Sequence, residues 1–232
     1  MKKCLLFVLW LTLLTVSSLY AHDTYVVEEG DALVVMHGHH GKSDPYKPEY
    51  IKGVMAYDAS GKGIPVTIKP EETRVLLTPA QKPALVTFIY SAGPRVKTAE
   101  GWKSLSKREV KDYIESKKSV KYVKQINQWN DIFGKPLGVK MEIVPLTTLS
   151  SLKLGDKLLF QVLYNGKPLA GATVKAEGVE KDKLKTDSNG RAEVVIKKVG
   201  LNIVGVSQTT PTPNDPEADA LGESATIAFE VK

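Results

Sequence analysis

The sequence predicts a mostly β protein: two β-sandwich domains, the second immunoglobulin-like, with a short helical basic segment between them. Three observations point there. Short runs of β-branched and aromatic residues recur along the chain, punctuated by glycine, asparagine and aspartate turns. No helical pattern alternates with them, which argues for antiparallel sheets rather than βαβ units. One stretch, Trp102 to Asn130, departs from this pattern, being rich in lysine and almost free of glycine and proline.

Met1 to Ala21 has the anatomy of an export signal: Lys2 and Lys3, an apolar run from Leu5 to Val16, then Ser17-Ser18-Leu19-Tyr20-Ala21. The run is short for a membrane span of about 20 residues. Cleavage at about Ala21 is expected, giving a periplasmic or otherwise secreted protein whose first residue is His22. The single cysteine, Cys4, falls in this segment. The mature chain therefore has no thiolate chemistry, no disulfide and no cysteine-based zinc site. Removing Lys2 and Lys3 lowers the formal charge of +6 by two, so the mature chain is only mildly basic and nucleic acid is not an expected partner.

The first domain is expected over residues 22–135. Thr24-Tyr25-Val26-Val27 is a short strand, Glu28 to Asp31 a turn, and Ala32 to His40 a longer strand. Further strands are expected at Ile51–Tyr57, Val66–Lys69, Val75–Leu77 and Ala84–Tyr90. Ser106-Lys107-Arg108-Glu109 has the form of a capping box, which predicts a helix over about Lys107–Lys117 and a second element over Val120–Trp129. The lysines of this stretch suit an acidic partner or a solvated face, and the interspersed Glu109, Asp112 and Glu115 favour the latter.

Phe133 to Gly138, rich in breakers, marks the boundary, and residues 136–232 form the second domain. Leu158, Phe160, Val162 and Tyr164 alternate before the turn signal Asn165-Gly166. Ala172–Ala176, Leu184–Thr186, Arg191–Ile196, Leu201–Val206 and Thr226–Val231 complete the pattern of an immunoglobulin-like sandwich. Residues 209–223 hold prolines with Asp215, Glu217, Asp219 and Glu223. They lack calcium-loop spacing and read as a solvated loop.

The candidate chemistry lies at the start of the chain. All 4 histidines fall at positions 22, 37, 39 and 40, and neutral imidazole is the commonest protein ligand of transition metals. A terminal His22 adds its α-amine to its imidazole. In a strand, His37 and His39 share one face about 6.6–6.8 Å apart, while His40 needs a bend at Gly38 or Gly41 to join them. Met36 is a further possible ligand. The expected cargo is a divalent transition metal, with zinc and copper also suited to such ligands.

The residues also resemble a known family, the bacterial secreted proteins described as periplasmic components of cobalt and nickel uptake systems and long catalogued as a domain of unknown function. The resemblance lies in Ala21-His22-Asp23, Gly38-His39, Thr98 to Lys103, Tyr122-Val123-Lys124 and Pro136-Leu137-Gly138 with Glu142 to Leu146. It continues in Gly166 to Ala172, Thr186 to Gly190 and Glu223 to Thr226. It implies an N-terminal β-domain, a C-terminal immunoglobulin-like domain, and delivery of Ni²⁺ or Co²⁺ to an inner-membrane transporter. Unlike many of the family, this chain has no histidine or methionine in the loop before its last strand.

Two other functions compete. A copper-dependent oxidative enzyme would use His22 and a second histidine as a brace resembling that of lytic polysaccharide monooxygenases, though the rest of the chain does not resemble those enzymes. A structural or adhesion β-sandwich would leave the histidine clustering unexplained. No Gly-x-Ser-x-Gly elbow or His-Glu-x-x-His helix is present. A non-enzyme is expected.

Overall fold

The computed structural model describes residues 22–39, 41–180 and 182–232. The expected export signal and His40 therefore lie outside the described residues. The rest is mostly β, its sheets stacked in the manner of a β-sandwich.

Among the described residues, the first nine strands are β1 (Asp23–Glu29), β2 (Ala32–His39), β3 (Lys42–Ser43), β4 (Ile51–Tyr57), β5 (Gly63–Ile64), β6 (Val66–Pro70), β7 (Val75–Pro79), β8 (Leu85–Thr98) and β9 (Gly101–Lys103). Then come β10 (Glu115–Ile126), β11 (Met141–Pro145), β12 (Lys157–Tyr164), β13 (Lys167–Pro168), β14 (Thr173–Lys175), β15 (Arg191–Val195), β16 (Gly200–Pro211) and β17 (Ala220–Val231). A five-stranded sheet has the order β1-β2-β7-β6, with β3 on β2. An eight-stranded sheet runs β14-β16-β17-β10-β8-β4-β5, with β9 on β8. A four-stranded sheet runs β11-β12-β13, with β15 on β12.

The long sheet is the middle layer. Because side chains alternate along a strand, β8 sends Leu85 to one core and Val86 and Phe88 to the other, while β10 likewise divides Ile126 from Val123. One core joins the long sheet to the five-stranded sheet through Val26, Leu33, Val35 and Leu77. The second joins it to the four-stranded sheet through Met141, Ile143, Leu158, Phe160 and Val194. The chain's two halves thus share a sheet: β10 pairs with β17 in parallel from Lys117↔Ala220 to Ile126↔Phe229. The breaker-rich Phe133–Gly138 segment lies beside this junction. Leu137 and Gly138 donate their backbone N–H groups to Glu142, whose carboxylate also meets Lys124 Nζ at 2.5 Å.

The expected basic helix is corrected. The capping box forms, with Glu109 accepting from the Ser106 N–H at 2.7 Å, but the turn spans only Lys107–Glu109. Residues 115–126 are a strand, flanked by β8 on one side and β17 on the other. Lysine-rich helices this short are marginal in water. In the strand, every ladder direction is satisfied, and Val120, Tyr122, Val123 and Ile126 suit a pleated surface.

The acidic loop is also shorter than the prolines implied, because β16 runs to Pro211 and β17 begins at Ala220. Its carboxylates meet the basic segment: Asp219 lies 2.6 Å from Lys107 Nζ, and Asp215 and Glu217 lie 2.9 and 2.7 Å from Lys118 Nζ. Glu223 is buried, with Lys140 at 2.7 Å and the Tyr164 hydroxyl donating at 2.7 Å. Lys107 and Lys118 of the basic segment are thereby paired within the chain. Among the described residues, no helix is long and apolar enough to cross a membrane.

Candidate metal centre

The site is built by register. Strands β1 and β2 pair antiparallel with Thr24 opposite His37 and Asp23 opposite Gly38. His22, just before β1, is therefore laid beside the end of β2. Strand β3 turns back on β2, placing Gly38 opposite Ser43 and His39 opposite Lys42. Gly38 is required here: a Cβ at that position would lie 2.1 Å from the Lys42 carbonyl oxygen. The same hairpin delivers Asp44, whose N–H donates to the His37 carbonyl at 2.8 Å.

Three of the four predicted histidines come together. The His22 ring stacks on His37 at 4.9 Å between centroids, with 14° between planes, and meets His39 at 4.7 Å and 31°. His37 stacks in turn on Tyr90 at 4.0 Å and 10°. The result is a pile of four rings, Tyr90–His37–His22–His39. Tyr46 packs edge-on against both His37 and Tyr90, and Tyr50 edge-on against Tyr90. Met36, opposite Tyr25 and one residue out of phase with His37, falls on the other face of β2.

Hydrogen bonds orient the rings. His22 Nε2 lies 2.6 Å from Asp44 Oδ2, and His37 Nδ1 lies 2.9 Å from Thr24 Oγ1. These bonds leave His22 Nδ1 and His37 Nε2. A ligating histidine generally holds a carboxylate or hydroxyl with its other nitrogen, which fixes tautomer and orientation. Asp44 and Thr24 suit that role.

Electrostatics keep His37 neutral. Burial, then Lys121, His22, Arg95 and His39, push its pKa down to about 2. Imidazole must be unprotonated to bind a metal, so His37 is in its ligating form throughout the ordinary pH range. The phenols are not anionic ligands: burial pushes Tyr46 and Tyr90 up to about 12. Lys121 Nζ donates to the His22 carbonyl and sits 5.9 Å from the Tyr90 ring. Burial lowers that ammonium to about 8, against the attraction of Asp23. Asp23 itself pairs with Lys175 at 2.6 Å. Tyr90, Asp44 and Lys121 are contributors that sequence reading did not single out.

In this conformation the stacked rings do not form a cage: among the described residues, no group of three or more histidine, cysteine, aspartate or glutamate side chains is arranged to hold a metal ion. The donor set still fits a transition metal chemically, because three imidazoles are grouped within a ring's width of one another and that of His37 is held neutral by burial. The His22 nitrogen is an amide while Ala21 precedes it. Cleavage after Ala21 would convert it into an amine donor.

Comparison with curated proteins yields no match. Residues 18–210 match the family described as a domain of unknown function, DUF4198, and the chain belongs to that family.

Proposed function

We propose that this is an exported transition-metal-binding protein that captures Ni²⁺ or Co²⁺ and passes it to an inner-membrane uptake transporter. The observation that carries the reading is the grouping of His22, His37 and His39 at the expected mature N-terminus, with His22 within 5 Å of both other rings. His22 would chelate through its amine and Nδ1, His37 would bind through Nε2, and His39 would supply a third imidazole; His40 remains a candidate ligand. Open, histidine-rich sites do not select nickel over copper by affinity, since copper(II) leads the divalent series. Selection for nickel or cobalt would come from which metal is available and from the transporter. The metal is cargo, and the protein is proposed as a non-enzyme.

A specific observation favours keeping the copper-brace reading as the alternative. The nitrogens left by Asp44 and Thr24, Nδ1 of His22 and Nε2 of His37, are the pair that an amine-assisted chelate would use. Calorimetric titration of the chain beginning at His22 with Ni²⁺, Co²⁺, Cu²⁺ and Zn²⁺ separates the readings. Tight 1:1 binding is expected, weakened ~10–100-fold by Thr24→Val or Asp44→Asn through loss of ring orientation. Absence of binding by every metal would overturn the metal reading. Copper binding accompanied by ascorbate-driven oxidation of a polysaccharide would favour the enzyme.

A further inference from the structure

Alternation along β10 puts Lys117, Ser119 and Lys121 on the face that carries Val123 into the core shared with the five-stranded sheet. Ser116, Lys118 and Lys124 fall on the other face. The two faces are neutralised differently. On the face of Lys118, Asp215 and Glu217 meet that lysine, Asp219 accepts from the Ser116 hydroxyl at 2.6 Å, and Glu142 meets Lys124. The acidic loop therefore serves one side of the strand.

On the face of Lys117 the charges are left open. Lys117 stands directly opposite Arg95 of β8, and like charges so placed repel. Both lie against one indole: the Arg95 guanidinium is 5.6 Å and the Lys117 ammonium 4.4 Å from the centre of the Trp102 ring. Strand β9 brings Trp102 there by pairing it with Lys97. Among the described residues, no carboxylate pairs with Arg95, and its Nε is buried without a hydrogen-bond partner. A buried donor left open is rare in a folded chain, and the guanidinium is a planar fork that matches a carboxylate. Glu115, opposite Lys97, reaches Lys117 at 3.6 Å in a partly exposed pair, which contributes little. Three cations thus share this stretch of sheet with one carboxylate.

The indole selects among anions. A hydrated inorganic anion has no use for an apolar ring beside two cations, whereas the methylene stem of an acidic side chain lies on it while the carboxylate reaches the fork. Lys97 is two residues along β8 from Arg95, about 6.6–6.8 Å away, which is also the step between alternate side chains of an extended peptide. A flat anionic bilayer cannot avoid Glu115; a peptide with acids at alternate positions can.

We infer that Arg95, Lys117 and Trp102, with Lys97 beside them, dock an extended acidic segment of a partner protein, one carboxylate seated between Arg95 and Lys117 on the indole. This docking does not depend on metal binding, although the face borders the histidine pile through Tyr90 and Lys121.

The test is fluorescence anisotropy of a labelled, end-blocked peptide of alternating glutamate and serine, titrated in low salt with the full chain beginning at His22. Saturable binding of one peptide per chain is expected. Arg95→Gln and Trp102→Leu should each weaken it at least ~10-fold. Lys118→Gln removes the same charge from the other face of the sheet and should leave affinity within ~2-fold of the parent. Circular dichroism checks that the variants fold, and the partly exposed Lys117→Gln replaces either variant that does not. Equal weakening by Arg95→Gln and Lys118→Gln would reveal unspecific attraction and overturn the inference, as would absence of peptide binding. Displacement of the peptide by an equal concentration of inorganic phosphate would assign the site to a small anion. Arg95-dependent binding to phosphatidylglycerol vesicles, without binding to the peptide, would assign it to a bilayer. Either result would overturn the docking of an acidic segment.

Discussion

At the residue scale, His37 is the fixed point of the site. It is the imidazole sandwiched between Tyr90 and His22 and tied to Thr24. Its folded pKa, about 2, is far below the unfolded value near 6.5. Above pH 6.5 both states are neutral and the group contributes nothing to pH dependence. As pH falls below 6.5 the unfolded chain takes up a proton that the folded chain refuses, so stability is lost progressively toward pH 2. By pH 5 this amounts to about 2 kcal/mol from this one group. Urea unfolding at pH 7 and pH 5 should show that loss in the metal-free chain and a smaller loss in His37→Gln; equal losses would contradict the buried neutral imidazole. That the histidines would meet was partly legible: alternation put His37 and His39 on one face of β2. The contribution of Asp44 was not, because it depends on a hairpin that only Gly38 permits. Nor were Tyr90 and Lys121, which come from strands whose registry with β1 and β2 is set by the core.

At the element scale, the instructive comparison is β10. The capping box at Ser106–Glu109 forms as expected but supports one turn only, and the residues after it pair as a strand between two others. Lysines at alternate positions look the same to a helical or a strand reading; what decides is the pairing available. Strand β4, in contrast, was legible to its ends, because Pro48 precedes it and the turn cluster Asp58-Ala59-Ser60-Gly61 follows it. The shared sheet creates one costly feature, the Lys124–Glu142 pair, whose side chains are 5% and 2% exposed. Burial lowers the lysine's pKa against the attraction of Glu142. Glu142→Ala strands a buried ammonium and frees two backbone N–H groups, so it should cost about 3–5 kcal/mol in denaturant unfolding. Lys124→Met combined with Glu142→Leu should cost less than the single change. A loss from Glu142→Ala below 1 kcal/mol would contradict the pair's role in pinning the 137–142 segment.

At the scale of the whole molecule, the sequence reading identified a β-rich chain with a change of character near residue 135. It did not reveal that the last strand crosses that boundary to pair with β10. Parallel pairing over so large a separation has no local signal: nothing near Ala220 announces Lys117. The consequence for function is positional. The N-terminal edge that carries the histidines faces the C-terminal half across a cleft, and the Lys175–Asp23 ion pair ties β14 to β1. Both halves therefore contribute to the environment of the imidazoles. The proposed binding of metal by His22 as a chain terminus is measured most directly by nickel affinity for the chain beginning at His22 against the same chain with one alanine added before it. Blocking the amine should weaken binding at least ~10-fold, with His22→Ala weaker still; equal affinity for the two chains would contradict the claim.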